Sequence, residues 1–180
     1  MKRICLTVLI ILFSISGCKK NNGPAYSGTI KIDDALIDPN TNPYIYGFSI
    51  PTGKKVSTLD DPRDVITIMA DGNNISVGKL FFTTSNFNNS FFRYGQYTDQ
   101  NSANTAFSNL KSFSSPAWTG TADSVKANQI WIYRTHDEKY AKIKVVSTFA
   151  EIRAGMPYPY AECTFEWVYQ PDGTQTFPGK

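Results

Sequence analysis

Histidine and cysteine are scarce in this sequence, which has one histidine and three cysteines in 180 residues. Two of the cysteines, Cys5 and Cys18, lie in the N-terminal segment, so Cys163 has no disulfide partner in the rest of the chain. The sequence also lacks a Gly-rich phosphate loop, a Gly-x-Ser-x-Gly nucleophile motif and a His-Glu-x-x-His metal motif. These absences predict that the protein is not an enzyme, and we expect no catalytic residue.

The side chains that remain for acid–base chemistry fall in segments with the composition of turns. A Ser-His-Asp triad would have to use His136, which stands beside Asp137 between two predicted strands, where exposure to solvent is expected. Neighbouring aspartates occur at 33–34 and at 60, 61 and 64, but aspartate is common at turns and the spacing matches no calcium-binding loop. We therefore predict solvated loops at both places.

An excess of charge is also missing. The formal net charge is +3, and two of the basic residues, Lys2 and Arg3, precede the apolar N-terminal run. The remaining balance gives no electrostatic reason to expect nucleic acid or an acidic polymer as a partner.

The N-terminal segment has the pattern of an export signal. Two basic residues precede an apolar run over 4–15, which is too short for a membrane-spanning helix of about 20 residues but suits a signal-peptide core. The following Ile15-Ser16-Gly17-Cys18 resembles the bacterial lipobox, in which a peptidase cleaves before a cysteine that carries a diacylglycerol. We predict a lipoprotein signal peptide over 1–17, then lipidated Cys18 and a spacer over 18–25.

Acylation of Cys18 predicts a protein that is held in the bilayer. Two or more acyl chains, such as palmitate, anchor a protein stably where a single chain is marginal. Lys19 occupies the position at which inner-membrane lipoproteins carry aspartate, which favours the outer membrane. The sequence is compatible with both the surface and the periplasmic face of the cell envelope.

Short alternating segments separated by turn residues make up the rest of the chain. The predicted strands are 26–32, 44–50, 55–58, 65–69, 75–77, two in 80–97, 130–135, 140–149, 160–170 and 174–177. Cys163 shares one side of its strand with Phe165 and Trp167, so a buried thiol is expected. The hairpin register over 130–149 predicts that Lys142 and Lys144 face away from the core.

Only one segment has a helical period. Ala103, Ala106, Phe107 and Leu110 recur at positions i, i+3, i+4 and i+7, with Thr98, Asp99 and Ser102 as alternative caps. Many short strands and one short helix predict an all-β fold, an antiparallel two-sheet sandwich-like domain over 26–180.

Aromatic residues are abundant, with 10 Tyr, 12 Phe and 3 Trp. Several lie in the Asn-rich stretch 81–97 and in the Pro-rich stretch 156–160. Aromatic side chains on loops can line a pocket for a flat ligand, and they can also complete a β core. The candidate ligand-binding residues are Met156, His136, Tyr158, Tyr160, Phe91 and Tyr94.

The C-terminal third resembles a known family. Residues 129–147 (Gln-Ile-Trp-Ile-Tyr-Arg-Thr-His-Asp-Glu-Lys-Tyr-Ala-Lys-Ile-Lys-Val-Val-Ser) join an aromatic strand ending in Arg-Thr to a polar turn and a Lys-Tyr-x-Lys strand. Residues 163–174 contain the ending Tyr-Gln-Pro-Asp-Gly-Thr. In these segments the chain is similar to the closing hairpin and last strands of the HmuY-like haem-binding lipoproteins.

This resemblance implies a surface or outer-membrane lipoprotein that captures haem and passes it to an outer-membrane transporter. Family members hold the iron between two axial side chains, usually histidines, with methionine as a substitute. Because the chain has one histidine, the resemblance makes His136 and Met156 the candidate metal ligands.

Together these observations predict an outer-membrane-anchored binding lipoprotein that captures haem or a related flat apolar ligand. The alternative is a structural or interaction lipoprotein that contacts an envelope protein or a glycan and binds no cofactor. Aromatic side chains on exposed loops would favour the first function, and aromatic side chains packed wholly inward would favour the second.

Overall fold

The turn residues that punctuate the sequence divide the chain into short strands. The computed structural model describes residues 26–38, 42–60, 63–86, 88–114 and 116–178, so the predicted signal peptide, Cys18 and the spacer lie outside the described residues. The described strands are β1 (Ser27–Asp33), β2 (Leu36–Asp38), β3 (Asn42–Ser49), β4 (Lys54–Ser57), β5 (Val65–Asn73), β6 (Ser76–Thr84), β7 (Phe91–Gln96), β8 (Ala122–Asp123), β9 (Gln129–Arg134), β10 (Tyr140–Glu151) and β11 (Tyr160–Gln170). An α-helix, α1 (Gln100–Asn109), and a 3-10 turn (Thr58–Asp60) complete the described elements.

Five strands form one antiparallel sheet in the order β1, β11, β10, β9, β7. The β9–β10 hairpin has the predicted register, since Tyr140 pairs with Arg134 and Lys144 pairs with Ile130. β11 pairs with β10 on one side and with β1 on the other. The alternating segments near the C-terminus thus form the middle of this sheet.

The second antiparallel sheet has the order β2, β3, β5, β6, β8, and β4 also pairs with β3. The hairpin predicted from residues 65–69 and 75–77 forms, but both arms are longer and its turn lies at 74–75. Asn73 sets this turn, because its side-chain oxygen accepts hydrogen bonds from the backbone of Ile75 and Ser76, each at 3.0 Å.

The two sheets pack face to face around a hydrophobic cluster. Phe48 and Phe82 from the second sheet meet Phe165 of β11 at ring-centroid distances of 5.7 and 5.8 Å. Cys163 lies in the same cluster and is fully buried, as predicted, and burial raises the pKa of its thiol. The all-β, antiparallel two-sheet fold with one short helix is confirmed for the described chain.

Helix α1 covers the outer face of the five-stranded sheet. Asp99, one of the three alternative caps, forms the N-cap, and its carboxylate accepts a hydrogen bond from Ser102 N at 2.8 Å. A second hydrophobic cluster lies on this face. Its buried members are Phe107, Leu110, Ile130, Ile132, Tyr140, Val168 and Phe177. No helix among the described residues is long and apolar enough to cross a membrane.

The prediction that Lys142 and Lys144 face solvent is wrong, because α1 lies over them. Lys142 is 1% exposed and donates hydrogen bonds to the carbonyl oxygens of Phe107 and Leu110, at 2.8 and 3.0 Å. Lys144 is 7% exposed and pairs with Glu166 at 2.5 Å, and burial lowers the pKa of Lys144. The register of the β9–β10 hairpin is as predicted, but the outer face of the five-stranded sheet is buried under α1.

The strand predicted at 174–177 does not form. In the described part of this segment, Thr176 makes only a single bridge, to Ser112. Phe177 is buried against Phe113, with ring centroids 5.8 Å apart. The C-terminal segment therefore closes the second cluster with an aromatic side chain rather than with a strand.

Antiparallel pairing gives the sandwich two different ends. The carbonyl of Tyr26 accepts a hydrogen bond from Tyr169 N at 2.7 Å, so the described chain begins beside the end of β11. The turn that contains His136 lies at this same end, which we call the entry end, because Tyr140 pairs with Gln170. The β10–β11 connection lies at the opposite end, which we call the far end. Both hydrophobic clusters lie within 26–178, so a chain that begins at Lys19 retains all of these contacts.

Candidate functional site

A pocket of about 140 Å³ opens at the far end of the sandwich. Its walls come from the segment that joins β1 to β2 and from the β10–β11 connection. The lining residues are Asp34, Ala35, Leu36, Arg153, Met156, Tyr158, Pro159 and Tyr160. The pocket is mostly apolar and aromatic, with one acidic and one basic residue.

The β1–β11 ladder places Asp34 in this pocket. Asp33 is the last residue of β1 to pair with β11, opposite Glu162. Asp34 extends the ladder by one step, because its backbone N donates to Ala161 O at 3.1 Å and its Oδ1 accepts from Ala161 N at 2.8 Å. The carboxylate thus takes the place of a strand carbonyl and is fixed at the edge of the sheet.

The prediction of a solvated loop at residues 33–34 is wrong for Asp34, which is only 6% exposed. Burial disfavours the charged form of a carboxyl group. It raises the pKa of Asp34 to about 6, although the hydrogen bond from Ala161 opposes the shift.

The aromatic wall of the pocket is held by hydrogen bonds and stacking. The Arg153 guanidinium lies over the Tyr160 ring, 3.3 Å from its centroid, and Arg153 Nε donates to Glu151 at 2.8 Å. Tyr160 donates its hydroxyl to Glu162 at 3.0 Å, and burial with this bond raises the pKa of Tyr160 to about 12. These contacts fix the ring that forms one side of the pocket.

Three ion pairs lie around the pocket. Lys31 pairs with Glu162 at 2.7 Å, Lys55 pairs with Asp33 at 3.1 Å, and Arg153 pairs with Glu151 at 2.8 Å. Asp34 forms no ion pair with any described residue. The pocket therefore has a buried carboxyl group that forms no ion pair with the described chain, although the charge of Arg153 also acts on it.

Three of the predicted ligand-binding residues, Met156, Tyr158 and Tyr160, lie together in this pocket. Phe91 does not join them, because it is fully buried in the core and contacts Tyr133 at a ring-centroid distance of 5.3 Å. Tyr94 is exposed on β7, away from the pocket lining. The Pro-rich stretch thus contributes to the pocket, whereas the aromatic residues of 81–97 do not.

His136 lies at the entry end beside a buried carboxylate. Its Nδ1 is 2.5 Å from Asp64 Oδ2, and its backbone N donates to Asp64 Oδ1 at 2.8 Å. Asn86 and Tyr133 also donate to Asp64 Oδ1, at 2.9 and 3.3 Å. The solvated loop predicted around Asp64 is therefore wrong, since Asp64 is a buried link between three loops and β9. The 37% exposure of the His136 side chain agrees with the prediction of a turn residue.

The potential metal-ligating groups do not come together as the resemblance implies. His136 precedes β10 and Met156 follows it, and β10 runs from Tyr140 to Glu151. A strand of this length spans roughly 36 Å. His136 and Met156 therefore cannot bind one iron atom in the same protein molecule. At the entry end, Asp64, His136 and Asp137 have ligand atoms within 4.8 Å of one another, but all three side chains already make hydrogen bonds.

Four residues of the pocket were not predicted from the sequence, Asp34, Ala35, Leu36 and Arg153, and the charged ones are Asp34 and Arg153. The signal for Asp34 was its position directly after an alternating strand, because an aspartate at the end of a strand can cap the ladder. Arg153 had no comparable signal, since its place depends on how the β10–β11 connection folds back over Tyr160.

The sequence was compared with protein-family models and with curated proteins. No protein-family model matches the sequence, and no curated protein is significantly similar to it.

Proposed function

We propose that the chain is an outer-membrane-anchored binding lipoprotein whose far-end pocket captures a flat apolar ligand, with haem as the first ligand to test. The observation that carries this proposal is the grouping of Met156, Tyr158 and Tyr160 around one pocket. An apolar cavity with a few fixed polar groups is the usual form of a small-molecule site.

The position of the pocket supports a role in capture. If Cys18 is acylated, the segment from Cys18 to Tyr26 can extend at most roughly 28 Å. The entry end then faces the bilayer, and β1 carries the chain away from it to Asp34 at the far end. Such an orientation presents the pocket to molecules approaching from outside the membrane, and a transporter could receive the ligand there.

The size of the pocket limits how a haem could bind. About 140 Å³ is below the 300–1,000 Å³ that encloses a drug-sized ligand. The pocket can take one edge of a tetrapyrrole while the rest of the macrocycle lies on the surface. The iron would have Met156 as its only sulfur ligand at the far end, or His136 as its only imidazole ligand at the entry end.

A haem titration of the chain from Lys19 to Lys180, followed by absorption in both iron states, tests this proposal. We expect a saturable shift of the Soret band that is weakened in Met156→Ala and unchanged in His136→Ala. Met69→Ala serves as a matched control, because Met69 is an exposed methionine outside the pocket. A flat titration, or equal loss in all three variants, would rule out haem capture by this pocket.

A second function, contact with an envelope protein, is favoured by exposed apolar side chains near the pocket. Ile37, Ile75, Phe149 and Ile152 form what we call the far-end rim, and Ile75 is 80% exposed. The β5–β6 hairpin that carries Ile75 approaches the pocket, because a Cβ on Gly72 would lie 3.1 Å from Pro159. Exposed apolar side chains around a pocket are typical of protein contact surfaces.

Photo-crosslinking in cells distinguishes this second function. A photoreactive amino acid at Ile75 should give one discrete adduct with an envelope protein, whereas the same amino acid at Thr105 on the exposed side of α1 should give none. Equal labelling from both positions would exclude the far-end rim as a specific contact surface.

A further inference from the structure

We propose that the far-end pocket recognises an alkylammonium group, which pairs with the carboxylate of Asp34. This inference rests on the proposed binding function of the pocket and narrows its ligand class. Among flat apolar molecules, it favours those that carry an amine.

The Asp34 carboxylate is buried and only partly hydrogen-bonded. Only 6% of the surface of Asp34 is exposed, and its Oδ1 accepts a hydrogen bond from Ala161 N. No described residue donates a hydrogen bond to Oδ2, and Asp34 is one of the residues that line the pocket. A buried carboxylate is costly unless a cation or several donors compensate it. A ligand ammonium would supply both the charge and the donors.

The ion pairs that surround Asp34 also favour a cationic ligand. Lys31, Lys55 and Arg153 lie on elements next to Asp34, and each already pairs with another acid. The acids in those pairs are Glu162, Asp33 and Glu151, respectively, so these three pairs are close to neutral. Asp34 is therefore the acidic residue of the pocket lining, and it forms no ion pair with a described residue.

The aromatic and apolar walls of the pocket also suit an organic cation. The Tyr160 ring already holds one cation, the Arg153 guanidinium, 3.3 Å from its centroid. Tyr158 and Met156 add a second aromatic ring and a polarisable thioether to the lining. Aromatic faces attract organic cations, and apolar walls accommodate the alkyl chain next to the charge. The volume of about 140 Å³ suits a head group of a few heavy atoms.

Nuclear magnetic resonance titration of the ¹⁵N-labelled chain from Lys19 to Lys180 tests this inference. The probes are n-butylammonium chloride, the neutral 1-butanol and the anionic butyrate, which are similar in size. At pH 7.5 we expect butylammonium to shift the amides of 34–36 and 158–161 saturably. Butanol should bind at least tenfold more weakly, and butyrate should not bind.

Two variants separate the role of the charge from that of the cavity. In Asp34→Asn, the preference for butylammonium over butanol should vanish while butanol affinity is retained. Asp33→Asn is the matched control, because Asp33 neighbours Asp34 but pairs with Lys55, and it should keep the preference. Lowering the pH from 7.5 to 5 should weaken butylammonium binding to the wild-type protein about tenfold, since Asp34 becomes protonated.

Other outcomes would overturn the inference in distinguishable ways. Equal binding of butylammonium and butanol, or an unchanged preference in Asp34→Asn, contradicts the ammonium proposal but leaves the pocket as a binding site. Failure of all three probes and of haem contradicts the proposed function as well. A comparison with Nα-acetyl-lysine methylamide identifies the source of the group: tighter binding than butylammonium assigns it to a lysine of a partner protein, and equal or weaker binding to a free amine.

Discussion

The ionised carboxylate of Asp34 destabilises the folded protein, and its hydrogen bonds in the ladder do not require this charge. Above pH 6 the folded protein must keep a buried carboxylate ionised beside apolar walls, whereas the unfolded chain ionises it in water. A shift from about 3.9 to about 6 corresponds to about 3 kcal/mol, and water in the open pocket reduces the expected effect to about 1–2 kcal/mol. Groups that weaken the fold in this way are often retained for binding.

Asp34→Asn is therefore expected to stabilise the protein at pH 7.5 by about 1–2 kcal/mol. Because the pKa of Asp34 is raised in the folded state, wild-type stability should fall as the pH rises from 4 to above 6. The advantage of the variant should disappear at pH 3, where the carboxyl is mostly protonated in both states. Urea unfolding at the two pH values measures this difference, and a variant that is less stable at pH 7.5 would contradict it.

Asp64 has the opposite role, because its carboxylate is fully used within the protein. Asp64→Asn keeps a side chain that tolerates the local φ of 61° but weakens the acceptor for His136, Asn86 and Tyr133. We expect a loss of about 1–3 kcal/mol in the free energy of unfolding. Asp137→Asn, at an exposed position in the turn that contains His136, should cost less than about 0.5 kcal/mol. Similar losses in both variants would show that Asp64 is not the link between these loops.

At the level of residues, the sequence predicted the exposed His136 and the buried Cys163 but not the burial of Asp34 and Asp64. Period and composition show which segments are turns, yet a turn can be exposed or folded against the core. The burial of each aspartate depends on partners far along the chain, Ala161 for Asp34 and His136 for Asp64. No local pattern contains that information.

Among the elements, helix α1 changes the environment of the strands beneath it. Its C-terminal carbonyls at Phe107 and Leu110 accept hydrogen bonds from Lys142, which reaches them through the second cluster. A lysine in this place donates to carbonyl groups at the C-terminal end of the helix, where basic side chains often cap the last turn. The helix is short, so its stability depends on this contact and on its packing.

Lys142→Met retains most of the apolar volume but removes the donor from these two carbonyls. We expect the protein to lose about 1–3 kcal/mol, because buried acceptors are left unsatisfied. Hydrogen exchange should accelerate most in α1. Lys126→Met, at an exposed lysine, is the control and should leave both quantities nearly unchanged. Equal exchange in α1 for the two variants would contradict the capping role of Lys142.

The elements themselves could be predicted well where two local signals agree. The 130–149 hairpin combines alternation with a polar turn, and the helix combines an apolar period with an acidic cap, so both were placed correctly. The strand predicted at 174–177 rested on the Pro-Asp-Gly turn at 171–173 alone, and the segment packs as a loop because Phe177 fits the cluster under α1. The lysines of β10 were assigned to the surface because no local signal shows that a helix will cover a strand.

Across the whole molecule, the central feature is the separation of the two ends. The chain enters at Tyr26 near His136, and the pocket with Asp34, Met156 and Tyr160 lies about one strand length away. This arrangement agrees with the proposed tether at one end and the proposed binding site at the other. The fold class and the candidate tether follow from the sequence, whereas the grouping of the pocket residues required the paired strands.

Cys18→Ser tests the tether in the intact protein. We expect the variant to lose incorporation of radiolabelled palmitate and to leave the outer-membrane fraction, because the acyl chains are its proposed anchor. Cys5→Ser is the matched control, since Cys5 lies within the predicted signal peptide, and it should keep both properties. Membrane retention of Cys18→Ser without palmitate would contradict a lipid anchor at this residue.

The location of the binding site is tested most directly by amide chemical-shift mapping with benzylammonium chloride, a small flat ring that carries an amine. In the chain from Lys19 to Lys180, the account predicts saturable shifts concentrated at 34–36 and 153–161, at the far end. Shifts concentrated at 134–139 beside His136, or no saturable shift at all, would contradict it.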